Sequence, residues 1–210
     1  MLRVLIADDH AIFRRGIRDL LRERFSPITV KEADTGVEML ARAGRRAWDL
    51  FIMDIAMPGK SGMDLLQDLR FMRPSTPVLV FSVHPETPYA ARMIRSGASG
   101  YLNKATSLDQ LAFAIETILG GRRYIAPHVA DCLLAESETS LSKCPHEQLS
   151  DREFQIFQLL ASGKPLKDVA QMLRVSPNTI STYRNRVLEK LGVRNNAEIT
   201  RYAIDHTLIE

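Results

Sequence analysis

The chain has 210 residues, 45% of them hydrophobic and 25% charged, with 11 glycines and 10 prolines. That is the composition of an ordinary folded protein of one large or two small domains, and it excludes disordered, collagenous and coiled-coil chains. The formal net charge of +3 is unevenly spread: between 174 and 201, Arg174, Arg184, Arg186, Lys190, Arg194 and Arg201 face only Glu189 and Glu198. Such a cluster suits a phosphate-backbone partner, provided the local helices present it together.

The apolar runs, such as Leu50–Met53 and Val78–Val83, fall far short of the ~18 to 20 residues that a membrane-spanning helix needs. Leu2–Ala7 runs straight into Asp8 and Asp9, too short and wrongly flanked for a signal peptide. Cys132 and Cys144 stand in no CxxC or Cys/His spacing, which reads as reduced thiols rather than a disulfide or a zinc site. The expectation is a soluble cytoplasmic protein without a membrane partner.

The first strand is expected over 2–7, followed by a helix carrying Phe13, Ile17, Leu20 and Leu21 at helical spacing. Further strands are predicted near 28–33, 50–53, 78–82 and 100–102, and helices near 36–43, 63–72, 87–96 and 107–119. Strands alternating with helices imply an α/β domain with a doubly wound parallel sheet, whose ligand site lies beyond the carboxyl ends of the strands. After Gly120 and Gly121 the pattern lapses. Residues 121–147 read as a linker with one short helical candidate near 128–136, between a domain at 1–120 and a small all-α domain at 148–210.

Asp8 and Asp9 follow the first strand and Asp54 ends the third. With those strands adjacent, the three carboxylates converge. Packed acids repel one another and favour a divalent cation, and hard oxygen ligands with room for water suit Mg²⁺. Ser82 ends the fourth strand and Lys104 follows the fifth. A hydroxyl can donate to a phosphoryl oxygen and an ammonium can balance its charge while Asp54 attacks phosphorus, so the implied reaction is acyl phosphate formation.

Ser150-Asp151-Arg152-Glu153 is a capping box that opens a helix bearing Phe154, Phe157, Leu160 and Ala161 and ending at Gly163. Pro165 starts a short helix with the stripe Leu166, Val169, Ala170 and Leu173. The turn Arg174-Val175-Ser176 leads to a third helix with Ser176 as N-cap, Pro177 in its first turn and Gly192 past its end. On that helix Ile180, Tyr183, Val187 and Leu191 share one side, while Asn178, Ser181, Thr182, Asn185 and Glu189 share the other, with Arg186 at the edge. A short helix, a tight turn and a longer polar-faced helix make a helix-turn-helix, and Asn, Ser and Thr are side chains that read base edges.

VLIADDH, MDIAMPGKSG, VFSVH and GASGYLNKA resemble the receiver domain of bacterial two-component response regulators. The resemblance implies a flavodoxin-like (βα)5 fold with Asp54 as phosphoacceptor and Mg²⁺ held by Asp8, Asp9, Asp54 and the backbone carbonyl of Ala56. It makes Ser82 and Lys104 the groups that sense the phosphoryl group, and Tyr101 an aromatic switch that turns inward when Ser82 moves. It also implies a sensor histidine kinase as donor. Ala105 stands where many receivers have proline, which puts a cis bond after Lys104 in doubt.

LSDREFQIFQLLASGKPLKDVAQMLRVSPNTISTYRNRVLEKLGVRNNAEITRYA resembles the LuxR-type DNA-binding domain. The pairing of the two resembles the NarL/FixJ subfamily, transcription regulators of double-stranded promoter DNA. By that pattern Asn178, Ser181, Thr182 and Asn185 belong to the DNA-reading face, and Arg184, Arg186, Lys190 and Arg194 meet phosphates or steady the helix. Positions 181 and 185 are often lysine in relatives, so the operator sequence does not carry over. The last helix, about 195–207, resembles a dimerisation helix, implying a homodimer when phosphorylated or on DNA, although Ala197, Tyr202, Ala203 and Ile204 serve equally for packing within one subunit. The competing readings are an aspartyl-phosphate phosphatase and a constitutive DNA binder with a vestigial receiver. The first needs a second acid two residues after the nucleophile, where Ala56 stands; the complete acid set argues against the second.

Overall fold

A computed structural model describes residues 1–57, 61–83, 86–127, 129–130, 144–173, 175–206 and 208–209. Segments of four to six residues form five strands: β1 (Leu2–Ala7), β2 (Ile28–Ala33), β3 (Leu50–Met53), β4 (Val78–Ser82) and β5 (Gly100–Asn103). All pairings are parallel, and the order is β2-β1-β3-β4-β5, the flavodoxin-like arrangement with its switch point between β1 and β3. Between the strands lie α1 (Ala11–Arg24), α2 (Gly36–Ala43), α3 (Gly62–Met72) and α4 (Glu86–Arg95), and α5 (Leu108–Leu119) follows β5.

Because side chains alternate across a strand, Val4 and Ile6 of β1 fall on one face with Leu50, Ile52, Leu79, Phe81 and Leu102, where Ile17, Leu20 and Leu21 of α1 and Leu111, Ile115 and Ile118 of α5 cover them. Residues on the other face, such as Leu5 and Phe51, are equally buried. Continuous burial on both faces explains why the central strands read as apolar runs. Thr35, Ser61 and Ser107 cap α2, α3 and α5 by accepting the backbone N–H three residues on.

The chain divides into two compact units, Met1–Ala135 and Glu136–Glu210. Beyond Gly121 the backbone stays on the first unit for a few residues: Tyr124 N donates to Ser99 O at 2.8 Å and pairs in parallel with Gly100. Most of the helical candidate near 128–136 lies outside the described residues, as do Pro58, Gly59, His84 and Arg174. The Lys104–Ala105 bond is trans, the one cis peptide among the described residues being Ser26–Pro27.

The second unit opens with a 3-10 turn, Pro145–Gln148, and holds α6 (Asp151–Ala161), α7 (Leu166–Met172), α8 (Pro177–Leu191) and α9 (Asn196–Asp205). The expected capping box at Ser150 and Glu153 is present in both directions. Ser176 caps α8 by accepting from Thr179 N, and Gly192 ends it at φ 68°, in the left-handed region that glycine enters without a Cβ penalty. α8 packs on α6 and α7, and α9 packs on α6, around Phe154, Phe157, Val169, Ile180, Val187 and Ile199.

Candidate functional site

The register brings the acids together. Ala7 pairs with Met53, so Asp8 and Asp54 leave adjacent strand ends side by side, tied by Asp54 N donating to Ala7 O at 2.8 Å. Both are 1% exposed. The next residue, Asp9, is exposed and keeps 28% of its side chain in solvent. One ligand atom from each of Asp8, Asp9, His10 and Asp54 lies within 4.8 Å of the others, a set dominated by carboxylate oxygens and open to solvent through Asp9 and His10. Such a set could hold a hard divalent cation.

The other strand ends close the pocket from the far side. Ser82 pairs with Asn103, and Lys104 N donates to Ser82 O at 2.7 Å, which swings the Lys104 side chain over β3. Its Nζ lies 2.5 Å from Asp54 Oδ2 and 2.6 Å from Asp8 Oδ2. Ser82 is fully buried at the end of β4. Ala56 N donates to Asp54 Oδ1 at 3.0 Å, so the turn after β3 folds back over the carboxylate. Tyr101, beside Val80, is 2% exposed and already lies inside the domain.

One ammonium faces two buried carboxylates, and the imbalance shows in Asp8. Burial raises its pKa, Lys104 and the His10 N–H lower it, and the neighbouring Asp54 charge raises it again; the net shift is upward.

Sequence reasoning gave no role to His10 and used Phe13 only as part of an apolar stripe. His10 Nδ1 stands 2.9 Å from Asp9 and 3.2 Å from Asp8, and the Phe13 ring lies 4.5 Å below Lys104 Nζ, a cation–π contact that confines the ammonium. The place of His10 directly after two aspartates was the available signal. Phe13 gave none, because the contact spans 91 positions of the chain.

In the second unit Asn178, Ser181, Thr182, Asn185 and Arg186 are all exposed along α8. The Ser181 and Thr182 hydroxyls each donate at 3.1 Å to the carbonyl four residues earlier, and Arg186 lies 5.8 Å from the Tyr183 ring. Arg194 is exposed just beyond the helix, its backbone N–H donating to Glu198. Arg184 and Lys190 are placed differently. Arg184 Nε donates to Asn196 Oδ1 at 2.6 Å, and Lys190 Nζ lies 2.6 Å from Glu153 Oε2 and 3.2 Å from Gln148 O.

Each of the two units matches a known family. The family described as "Response regulator receiver domain" matches residues 4–116, and "Bacterial regulatory proteins, luxR family" matches residues 147–203. The chain is 33% identical over 210 residues to response regulator GacA of Pseudomonas protegens, covering 100% of this chain and 99% of that one. It is 32% identical to response regulator UvrY of Escherichia coli K12, covering 99% and 96%. Among solved structures, the RcsB response regulator of Salmonella typhimurium superposes with a TM-score of 0.68 at 25% identity, covering 96% of each chain. No helix among the described residues is long and apolar enough to cross a membrane. The chain belongs to the response regulators of NarL/FixJ type, DNA-binding transcription regulators that join a receiver domain to a LuxR-family helix-turn-helix.

Proposed function

We propose that Asp54 accepts a phosphoryl group from a partner sensor histidine kinase in a Mg²⁺-dependent reaction, and that the acyl phosphate switches promoter binding by α8. The observation that carries this reading is the Lys104 ammonium bridging Asp54 and Asp8 inside the acidic pocket. An Asp54 oxygen forms the new P–O bond as the donor's P–N bond breaks, or its P–O bond when the donor is acetyl phosphate. Lys104 stands where the phosphoryl oxygens gain charge, and Ser82 supplies a hydroxyl at the adjoining strand end. Asp8, Asp9, Asp54 and the Ala56 carbonyl are the residues that would hold Mg²⁺, and they suit it because they offer hard oxygens with an open side. When bound, that cation neutralises the phosphoryl charge.

Adding charge at Asp54 takes Lys104 from its present carboxylate partners and draws Ser82 toward the phosphoryl group. Tyr101, buried beside β4, follows Ser82 and changes the receiver surface. The output domain at 148–210, joined through a linker at 121–147, then binds double-stranded promoter DNA as a homodimer. Asn178, Ser181, Thr182 and Asn185 read bases, while Arg186 and Arg194 meet phosphates. A kinase-driven regulator of promoters works in the cytoplasm. An aspartyl-phosphate phosphatase is disfavoured by Ala56, whose position lacks the second acid such enzymes use. Incubating the full chain with acetyl phosphate and Mg²⁺ and measuring its intact mass tests the first step. One added phosphoryl group in wild type, absent in Asp54→Asn and absent with chelator, is expected; equal addition to Asp54→Asn contradicts the assignment.

A further inference from the structure

Lys190 looks from sequence like one more basic side chain on the DNA-reading helix, but its angular position is different. At 100° per residue it sits about 130° round α8 from the middle of the Asn178, Ser181, Thr182 and Asn185 face, between Arg186 and the buried Val187. Its ammonium is already engaged. One donor meets Glu153 Oε2 at 2.6 Å and another meets Gln148 O at 3.2 Å.

Both partners are structurally committed. Glu153 is 3% exposed, and the same Oε2 accepts Ser150 N at 2.8 Å in the capping box that starts α6. A carboxylate this buried needs a counter-charge, and Lys190 is the cation that the structure gives it. Gln148 ends the 3-10 turn through which the chain enters the unit. That turn is held at its other end too, where the His146 ring stands 3.0 Å from the Tyr202 hydroxyl of α9.

We infer that Lys190 is a positioning residue: it fixes the recognition helix to the capped start of α6 and to the entering 3-10 turn, and does not contact a DNA phosphate. Arg184 does the parallel work on the opposite flank, pinning α8 to Asn196 of α9. The turn at 145–148 directly precedes α6, so the Lys190 ammonium ties α8 to the start of the unit's chain. This rests on the reading of α8 as the DNA-contacting helix.

The test is a titration of the full chain on a fluorescent duplex that wild type has enriched from a random pool, repeated across a salt series. Losing a phosphate contact reduces the slope of log K against log salt by roughly one; losing a positioning contact lowers affinity at every salt and leaves the slope. Lys190→Met is expected to weaken binding by about tenfold, on the order of 1.4 kcal/mol, with the slope of wild type, whereas Arg186→Ala loses roughly one unit of slope. Glu153→Gln keeps an acceptor for the α6 cap but releases the Lys190 ammonium into solvent. A phosphate-contacting lysine so released binds as well as before or tighter; a positioning lysine binds more weakly, and that loss is expected. The double variant should be no worse than either single one, since both break the same link. A slope reduced by about one in Lys190→Met, or wild-type binding by Glu153→Gln, overturns the inference while the DNA-binding reading stands. A wild-type chain that enriches no duplex overturns both.

Discussion

Lys104 Nζ lies 2.5 Å from Asp54 Oδ2, with 2% of the lysine side chain and none of the aspartate side chain in solvent. In a pocket that also holds the buried Asp8, this ammonium faces two carboxylates, so its removal leaves two buried acids without their lysine counter-ion.

The first expectation follows directly. Lys104→Met should destabilise the metal-free receiver by about 3 kcal/mol or more, which is roughly 6 °C or more in Tm at the 2–4 °C per kcal/mol expected of chains this size. Thermal unfolding in chelator measures it, and millimolar Mg²⁺ should recover part of the loss. An unchanged Tm would mean that the ammonium is not paired in solution.

Asp8 carries the opposite sign. Its folded-state pKa is raised above the ordinary 3.8, with burial the largest cause. Ionising it therefore costs the fold stability: the increment is present below the unfolded value and is lost as pH rises through the folded one. At neutral pH the metal-free protein bears that cost, which a bound cation relieves. Asp8→Asn should accordingly match or exceed wild type in Tm in chelator, and should lose most of the rise that Mg²⁺ gives wild type. A large Tm loss in chelator would reverse the assigned sign.

Gly62 opens α3 just after the turn that follows Asp54. A Cβ there would clash with Ile55 Cβ and stand 2.6 Å from the Ile55 Cα, so the backbone itself must move. Gly62→Ala should cost about 1–3 kcal/mol as overpacking does, and should slow phosphoryl addition by displacing the turn at 55–57. Intact-mass time courses beside thermal melts decide this; a wild-type rate at wild-type Tm would show that the turn has slack.

The strands and most helix limits were legible because each is written locally, in apolar runs such as Val78–Ser82 or in caps such as Ser150 with Glu153. The convergence of Asp8, Asp54 and Lys104 was legible too, since strand ends are an address in a parallel sheet. What local patterns omit is the partner across a long separation. Lys190 and Glu153 are 37 positions apart, and nothing in a window around Lys190 distinguishes a phosphate contact from a buried carboxylate's counter-ion. The attachment of Tyr124 to Gly100, inside a segment that composition marks as linker, escaped for the same reason.

Glu153 gives a pH expectation for the second unit. Burial raises its pKa, but hydrogen bonds from Lys190 and Ser150 outweigh that, and the folded value lies below the ordinary 4.5. Its stabilisation is therefore present above the unfolded value and is lost as pH falls through the folded one. Acid unfolding of the helical unit, followed by circular dichroism below about pH 4.5, should be less steep in Glu153→Gln than in wild type. Equal acid sensitivity would remove Glu153 from the acid response.

The claim on which the account turns is that chemistry at Asp54 governs DNA binding by α8. Anisotropy titrations of one selected duplex, with and without acetyl phosphate and Mg²⁺, compare wild type with Asp54→Asn in the same salt. The phosphodonor is predicted to tighten wild-type binding by about 5- to 150-fold, the range of typical coupling free energies, and to leave Asp54→Asn unchanged. An equal response from both proteins, or none from wild type, would contradict the account.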